Sequence, residues 1–230
     1  LVSKYDLLSI PVVDMQNTLV GVVTVDDVLD VIQEQAEEDL LHLAGVAISE
    51  RVTTPARETW KTRFPWLAVN LVTAFAAASV VGAFSKTIEK WTVLAAFMPI
   101  VAGMGGNAGT QTLTVFVRAL ALGEVDWNSG LRPIWKELLV GLANGILIGT
   151  IAATIAGFAT GDWILSLILL AAMTVNLVIA GVAGGFVPLI LERLGFDPAV
   201  ASSIFVTTFT DVGGFFSFLG LATLALHFLR

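Results

Sequence analysis

"PIVAGMGGNAGTQTLTVFVRA" (Pro99–Ala119) decides how this chain is to be read. Its ends are apolar enough for the interior of a bilayer, yet its middle holds Gly103, Gly105, Gly106 and Gly109 beside Asn107, Gln111, Thr110, Thr112 and Thr114. On a helix, Gly103, Gly106, Asn107, Thr110, Gln111 and Thr114 follow at alternating intervals of three and one, which gathers them into one stripe. Opposite it the reading sets Ile100, Val101, Met104, Leu113 and Val117. Small residues alone let helices approach closely. Amides and hydroxyls in the same stripe ask for a polar partner as well.

The surroundings are those of a membrane protein. Of 230 residues 56% are hydrophobic and 13% charged, with mean hydropathy +0.86, outside ordinary globular usage. Uncharged runs at 64–84, 91–117, 138–160, 163–191 and 198–229, the last broken by Asp211 and His227 alone, each reach the roughly 20 residues that cross a bilayer at 1.5 Å per residue. The expected fold is an all-α membrane protein with five transmembrane helices per subunit over residues 64–230. The first 25 residues are expected to be a short α/β piece of a cytoplasmic domain, and 26–63 a connecting helix and linker. The chain does not open with Met, and its first apolar run begins beyond sixty residues of different character. It is therefore expected to be a piece of a longer protein, with no signal peptide among its apolar runs. Without cysteine there is no thiolate nucleophile, disulfide framework or Cys-ligated metal to consider.

Charge is uneven. In residues 1–50 Lys4 opposes ten acids, a net −9, while the remainder is +2, so the overall −7 comes from an acidic head. Such a head repels nucleic acid and anionic lipid and attracts cations. Arg57, Lys61, Arg63, Arg118, Arg132, Lys136 and Arg193 fall on one side of a five-span layout, and Lys86, Lys90 and Arg230 on the other. The excess places the N-terminus in the cytoplasm of a multi-pass protein of the cytoplasmic membrane.

In "LLSIPVVDMQNTLVGVVTVDDVLDVIQEQAEEDLLHLAG" residues 8–13 and 19–24 read as strands around the turn DMQNT. From Thr24, a plausible N-cap, the apolar positions Val28, Leu29, Val31, Ile32, Leu40, Leu41 and Leu43 take helical spacing until Gly45. Asp26, Asp30, Glu34, Glu37 and Glu38 share one face of that helix, which has no Lys or Arg. Such a face is either simply solvated or holds a cation that relieves the repulsion.

Asp211 is the one ionisable side chain read as lying deep within a span. An acid at a helix centre costs about 2.5–3.5 kcal/mol and so faces water, an ion or a partner. Ser203, Thr207, Thr210 and Gly214 lie within helical reach of it. A stripe of hydroxyls, amides and carbonyls facing a carboxylate makes an oxygen-lined path for a hard cation, and Mg²⁺, which sheds water reluctantly, can be recognised there largely hydrated. A two-fold dimer would bring two Asp211 side chains to one axis. By contrast Gly141, Gly145 and Gly149, and Gly181 with Gly185, read as packing scaffold, with Asn144 and Asn176 as interhelical hydrogen bonders.

"MPIVAGMGGNAGTQTLTVFVRALALGEV", followed by "VTTFTDVGGFF" and preceded by "RFPWLAVNL" and the strand-turn-strand pattern "PVVD…LVGVVTVDDV", resembles the MgtE family of magnesium channels, the last pattern being similar to the end of a CBS motif. The resemblance implies a homodimer with five membrane helices per subunit, a pore lined by the second and fifth, and a Mg²⁺-sensing region joined to it by a plug helix. It implies Asp211 as the central ion site, with Gly103, Gly106, Thr110 and Thr114 lining the path; Asn107, Ser203 and Thr207 join them from the stripe and from the reach of Asp211. It implies a plug over roughly 26–43 and a closing contact in which Mg²⁺ bridges Asp197 to Glu34, Glu37 or Glu38, with Asp26 and Asp30 on the same acidic face. Mg²⁺ is then both cargo and regulator, in a bilayer, without nucleic acid; oxygen ligands alone do not separate it from Mn²⁺ or Co²⁺. The rival reading is a secondary carrier using Asp211 as a proton or sodium site, for which no inverted repeat is visible. An intramembrane protease would need a second acid or a paired His.

Overall fold

The structure is a computed structural model describing residues 2–46, 50–127 and 129–228. The side chains of Glu37, Leu40 and Leu43, and all of Leu229 and Arg230, lie outside the described residues. A short helix α1 (Val2–Tyr5) leads into strands β1 (Ser9–Val13) and β2 (Leu19–Thr24), paired antiparallel with Ser9 opposite Thr24 and an irregularity between Val12 and Val13. Their turn is held by Asp14, whose Oδ1 accepts from the Gln16 and Thr18 amides at 2.9 and 2.8 Å, while Asn17 takes φ +63°. Most of the hairpin side chains are exposed on both faces. Two strands alone are marginal in water.

Helix α2 (Val25–Leu43) starts where the sequence places it. Asp27 Oδ2 accepts from the Thr24 amide at 2.7 Å and from the Thr24 hydroxyl at 2.6 Å, an N-terminal box with Asp in the place of the usual Glu. These bonds hold the Asp27 carboxyl below its ordinary value. At the other end Gly45 takes φ +68° and the Val46 amide bonds to Leu41 O at 2.9 Å, closing the helix. Leu29, Val31 and Ile32, which take the helical spacing, are more than half exposed.

Six further helices follow: α3 (Ala56–Ala83), α4 (Ser85–Lys90), α5 (Leu94–Ala121), α6 (Leu131–Thr160), α7 (Trp163–Arg193) and α8 (Pro198–Phe228). Among the described residues, four helical segments are long and apolar enough to cross a membrane: α3, α6, α7 and the 201–228 part of α8. The fifth expected crossing, α5, is not among them. With 28 residues it has the length, about 42 Å, but the glycines, amides and threonines of its stripe dilute its apolar content.

Helix α7 is the centre of the bundle, packed on α5, α6 and α8. Leu165, Leu169, Ala172, Met173 and Ala180 along it are fully buried, as are Leu94 and Val101 of α5 and Phe218, Leu219 and Ala222 of α8. The glycines assigned to scaffold are scaffold: a Cβ on Gly145 would sit 2.6 Å from Thr174 Cα, on Gly181 2.7 Å from Glu137 O, and on Gly185 2.9 Å from Phe116 Cζ. The α6–α7 seam is thus backbone against backbone, the approach that small residues at every fourth position permit. Helix α3 stays on the outside, touching α8 and burying only Ala77 among its side chains.

Candidate functional site

The seam between α5 and α8 fixes what each helix presents. A Cβ on Gly109 would meet Val206 Cγ1 at 2.6 Å and Thr210 Cγ2 at 3.6 Å, and Cβ atoms on Gly105 and on Gly214 would each sit 2.9 Å from Asn176 Cγ. Gly105 therefore lies level with Gly214, and Gly109 with Val206 and Thr210, so the helices run antiparallel. The inward row is Gly105 and Gly109 on α5 and Val206, Thr210 and Gly214 on α8, with Gly109 against Val206 and Thr210 and with Asn176 of α7 meeting both Gly105 and Gly214.

One residue further along each helix is a turn of about 100°. That step leads from the inward rows to Gly106 and Thr110 on α5, and to Thr207 and Asp211 on α8. For antiparallel helices the two steps swing to the same side of the seam. The observed exposure agrees: Gly103, Asn107, Thr110, Thr114 and Thr207 are exposed, and Gly106 and Asp211 are half-buried. A Cβ on Gly103 or Gly106 would meet nothing within 4 Å. The two glycine types in one stretch thus do different things, Gly105 and Gly109 for packing, Gly103 and Gly106 at an open face.

The chemistry of this face is that of oxygen acceptors. Thr110 Oγ1 donates to Gly106 O and Thr114 Oγ1 to Thr110 O, both at 2.9 Å. Their protons are spent inside the helix, so the hydroxyl oxygens offer lone pairs outward. No hydrogen bond or ion pair to the Asp211 carboxylate is present among the described residues. Of its expected neighbours, Thr210 is fully buried, its hydroxyl turned to Thr207 O at 2.9 Å. Ser203 lines a different cavity, with Gly45, Arg63, Trp66 and Asn70, where the end of α2 meets α3 and α8. Gln111, read as part of the stripe, is exposed but lines a second polar cavity of about 150 Å³ between α5, α6 and α7. Ile100, expected opposite the stripe, is 42% exposed.

Asp211 is not alone among buried acids. Glu137, in the second turn of α6, is only 9% exposed. Its Oε2 accepts from Thr112 Oγ1 of α5 at 3.0 Å, and Lys136 Nζ is 3.3 Å from Oε1. The sequence signal was present: Glu137, Gly141, Gly145 and Gly149 recur every fourth residue, so Glu137 belongs to the same buried row as the packing glycines. Asn176 donates from Nδ2 to Val101 O at 2.8 Å, as expected of an interhelical bonder. Asn144 is exposed, with no such bond among the described residues.

On the head, Asp26, Asp30 and Glu34 are exposed and Glu38 is half-buried, while the Glu37 side chain is outside the described residues. Asp197 is exposed and caps α8, its Oδ1 accepting from the Ala199 amide at 2.8 Å. Among the described residues no three Asp, Glu or His side chains converge as a ready-made metal cage. The donors present suit an ion that keeps most of its water, as Mg²⁺ does. Helix α2 packs against α8, so the acidic helix and the acid-bearing helix are in direct contact.

Comparison with known proteins identifies the family. A family model, MgtE, described as a divalent cation transporter, matches residues 98–221. The magnesium transporter MgtE of Enterococcus faecalis is 36% identical over 228 residues, covering 99% of this chain and 50% of that protein. Those of Bacillus subtilis and Thermus thermophilus are 34% and 36% identical over 229 and 231 residues, covering 100% and 99% of this chain and 51% of each relative. The chain spans about half the length of these relatives. The matched stretch runs from the start of the glycine-rich helix through the acid-bearing segment of α8, more than half of the chain, and the chain belongs to the MgtE family.

Proposed function

We propose that this chain is the pore-forming half of a Mg²⁺ channel of the cytoplasmic membrane, acting as a homodimer. Residues 1–25 are the end of a cytoplasmic CBS domain, 26–63 the connecting helix and linker, and 64–230 the pore domain, with α5 as the fifth crossing and the N-terminus in the cytoplasm. The observation that carries this reading is the half-buried Asp211, without a hydrogen-bond or ion-pair partner among the described residues, on the same side of the α5–α8 seam as Gly103, Gly106, Asn107, Thr110 and Thr114. Two copies facing across a two-fold axis oppose two carboxylates, which together balance a divalent charge, and the flanking oxygens accept hydrogen bonds from its waters. Flow is passive. Each 100 mV of membrane potential contributes about 4.6 kcal/mol for a divalent ion, ample to drive entry.

Gating follows from charge on α2. The acidic face formed by Asp26, Asp30, Glu34, Glu37 and Glu38 repels itself until cations screen it. High internal Mg²⁺ bridges this face to Asp197 at the foot of α8 and holds the pore shut; when Mg²⁺ falls, the helix swings away. The packing of α2 on α8 supports this route. The apolar surface left open on the hairpin and on α2 is suited to burial by the rest of the CBS domain. Mg²⁺ flux into liposomes carrying the Asp211→Asn protein tests conduction: loss is expected, and undiminished flux overturns the pore assignment. A proton or sodium current coupled to uptake would replace the channel by a secondary carrier.

A further inference from the structure

The end of the bundle opposite the acidic head carries a feature that the pore does not use. On α4, Lys86 and Lys90 stand four residues apart, on one face, and with Thr87, Thr223, Leu226 and His227 they line a cavity of about 240 Å³. Both lysines are exposed, with no ion-pair partner among the described residues, and the acid of α4, Glu89, does not line the cavity. Thr223 Oγ1 donates to Leu219 O at 2.7 Å, so Thr87 is the donor in the 2.8 Å bond between the two hydroxyls. With both protons committed, recognition falls to the ammonium groups and the imidazole. The ligand chemistry is therefore anionic.

Thr223 also lines the mouth of a second hollow, a groove of about 550 Å³ whose walls are almost wholly apolar: Phe84, Val175, Phe216, Gly220, Leu221 and Leu224. From Thr223 back to Phe216 the groove follows α8 for about 10 Å towards the middle of the bundle. A Cβ on Gly220 would come no nearer than 4.0 Å to Phe84, which leaves the floor of the groove open. A cationic cavity adjoining an apolar groove at Thr223 matches a molecule with an anionic head and a hydrocarbon tail.

We propose that this is a binding site for an anionic phospholipid of the outer leaflet, its phosphate held by Lys86 and Lys90 with His227 at the rim, and one acyl chain lying along α8 from Thr223 to Phe216. The site rests on the reading of these helices as membrane-embedded, not on the pore assignment, and conduction through Asp211 could fail while it stands. A free phosphate would use the cavity and ignore the groove. A second copy of the chain would cover the groove and ignore the lysines.

The protein is reconstituted in phosphatidylcholine nanodiscs with phosphatidylglycerol or extra phosphatidylcholine, at equal mole fraction, carrying a diazirine in the acyl chain, and labelled peptides are mapped after irradiation. Labelling of 216–224 and Val175 is expected to favour phosphatidylglycerol. Lys86→Gln with Lys90→Gln is expected to reduce that preference roughly thirtyfold, about fivefold per lysine, and Lys86→Arg with Lys90→Arg to keep it. Gly220→Leu is expected to fill the groove and lower labelling by both lipids in a protein that stays monodisperse. An unchanged preference in the double Gln variant overturns the proposal. So does its abolition by inorganic phosphate with acyl labelling intact, which marks a free-anion site, or cross-linking of 216–224 to a second copy in place of lipid.

Discussion

Replacing Gly105 by Ala separates packing glycines from lining glycines within one helix. A methyl there would sit 2.9 Å from the Asn176 amide carbon and nearer still to its nitrogen. The amide has nowhere to go, because Asn176 is fully buried and wedged equally closely against Gly214 on the other side. Either the Nδ2 bond to Val101 O breaks or α5 and α8 move apart. Breaking it strands a second polar atom beside Asn176 Oδ1, which already lacks a partner, at about 1–3 kcal/mol, and the overpacking adds about 1–3 kcal/mol. Alanine returns about 1 kcal/mol through helix propensity, and hydrogen bonds between membrane helices fall at the weak end of the range. The net expectation is a loss of about 2 kcal/mol. At Gly103, where nothing lies within 4 Å, the same substitution is expected to leave stability unchanged or raise it by up to about 1 kcal/mol while lowering Mg²⁺ flux. Reversible unfolding in mixed detergent micelles, read by intrinsic tryptophan emission, measures both. Equal stability of the two variants refutes the argument. In a double-mutant cycle, Gly105→Ala is expected to cost much less on an Asn176→Ala background, since the clash is with that amide.

Along the α6–α7 seam, Gly145→Ala is expected to cost about 3 kcal/mol, because its Cβ meets Thr174 backbone, and Gly149→Ala less, because its nearest atom, 3.0 Å away, is the end of the Leu170 side chain; the same unfolding assay ranks them. Thr112→Val removes the donor to Glu137 and is expected to cost about 1–2 kcal/mol, whereas Thr112→Ser restores most of it. Asp27 is held below its ordinary value of 3.8 by Thr24, so its contribution to α2 is complete above the unfolded value and is lost as pH falls through the lower folded one; amide protection of the first turn of α2, corrected for intrinsic exchange, is expected to drop below about pH 4. Asp27→Asn is expected to abolish that drop, and a persistent drop in the variant would assign it elsewhere.

Helix identity and facing were legible where the sequence is periodic. The four-residue glycine repeat of α6 and the stripe from Gly103 to Thr114 came out on the faces their spacing implies, except that Gln111 opens onto the cavity between α5, α6 and α7. What spacing does not encode is which neighbour fills a face. It set Gly103 and Gly106 in the stripe and left Gly105 and Gly109 out of it, but it could not say that Asn176 of α7 and Val206 of α8 are what fills the second face. Glu137 was hidden by its own charge: a run of uncharged residues begins at Leu138, so the acid looks like the soluble edge of a span, although its carboxylate is buried against α5. Ser203 lies within helical reach of Asp211 yet opens onto the cavity beneath α2, since the eight-residue step between them also rotates a side chain by about 80°. The apolar spacing of α2 marked its helix, while Leu29, Val31 and Ile32 lie exposed, because amphipathicity records that a face needs covering and not what covers it.

Cost explains why the exposed row and the acid belong on one side. A carboxylate facing hydrocarbon costs about 2.5–3.5 kcal/mol, and a row of outward carbonyl and hydroxyl oxygens adds to that wherever lipid cannot hydrogen-bond. If Asp211 and Thr110 lay on opposite sides of the α5–α8 seam, two separate wet surfaces would be required. Because antiparallel packing swings both to one side, the single two-fold contact proposed above would remove both from lipid and line one path with them. The close packing at Gly105, Gly109 and Gly214 sets this angle. A residue larger than glycine at any of the three would rotate or separate the helices, and Asp211 would then face lipid without changing its position in the sequence.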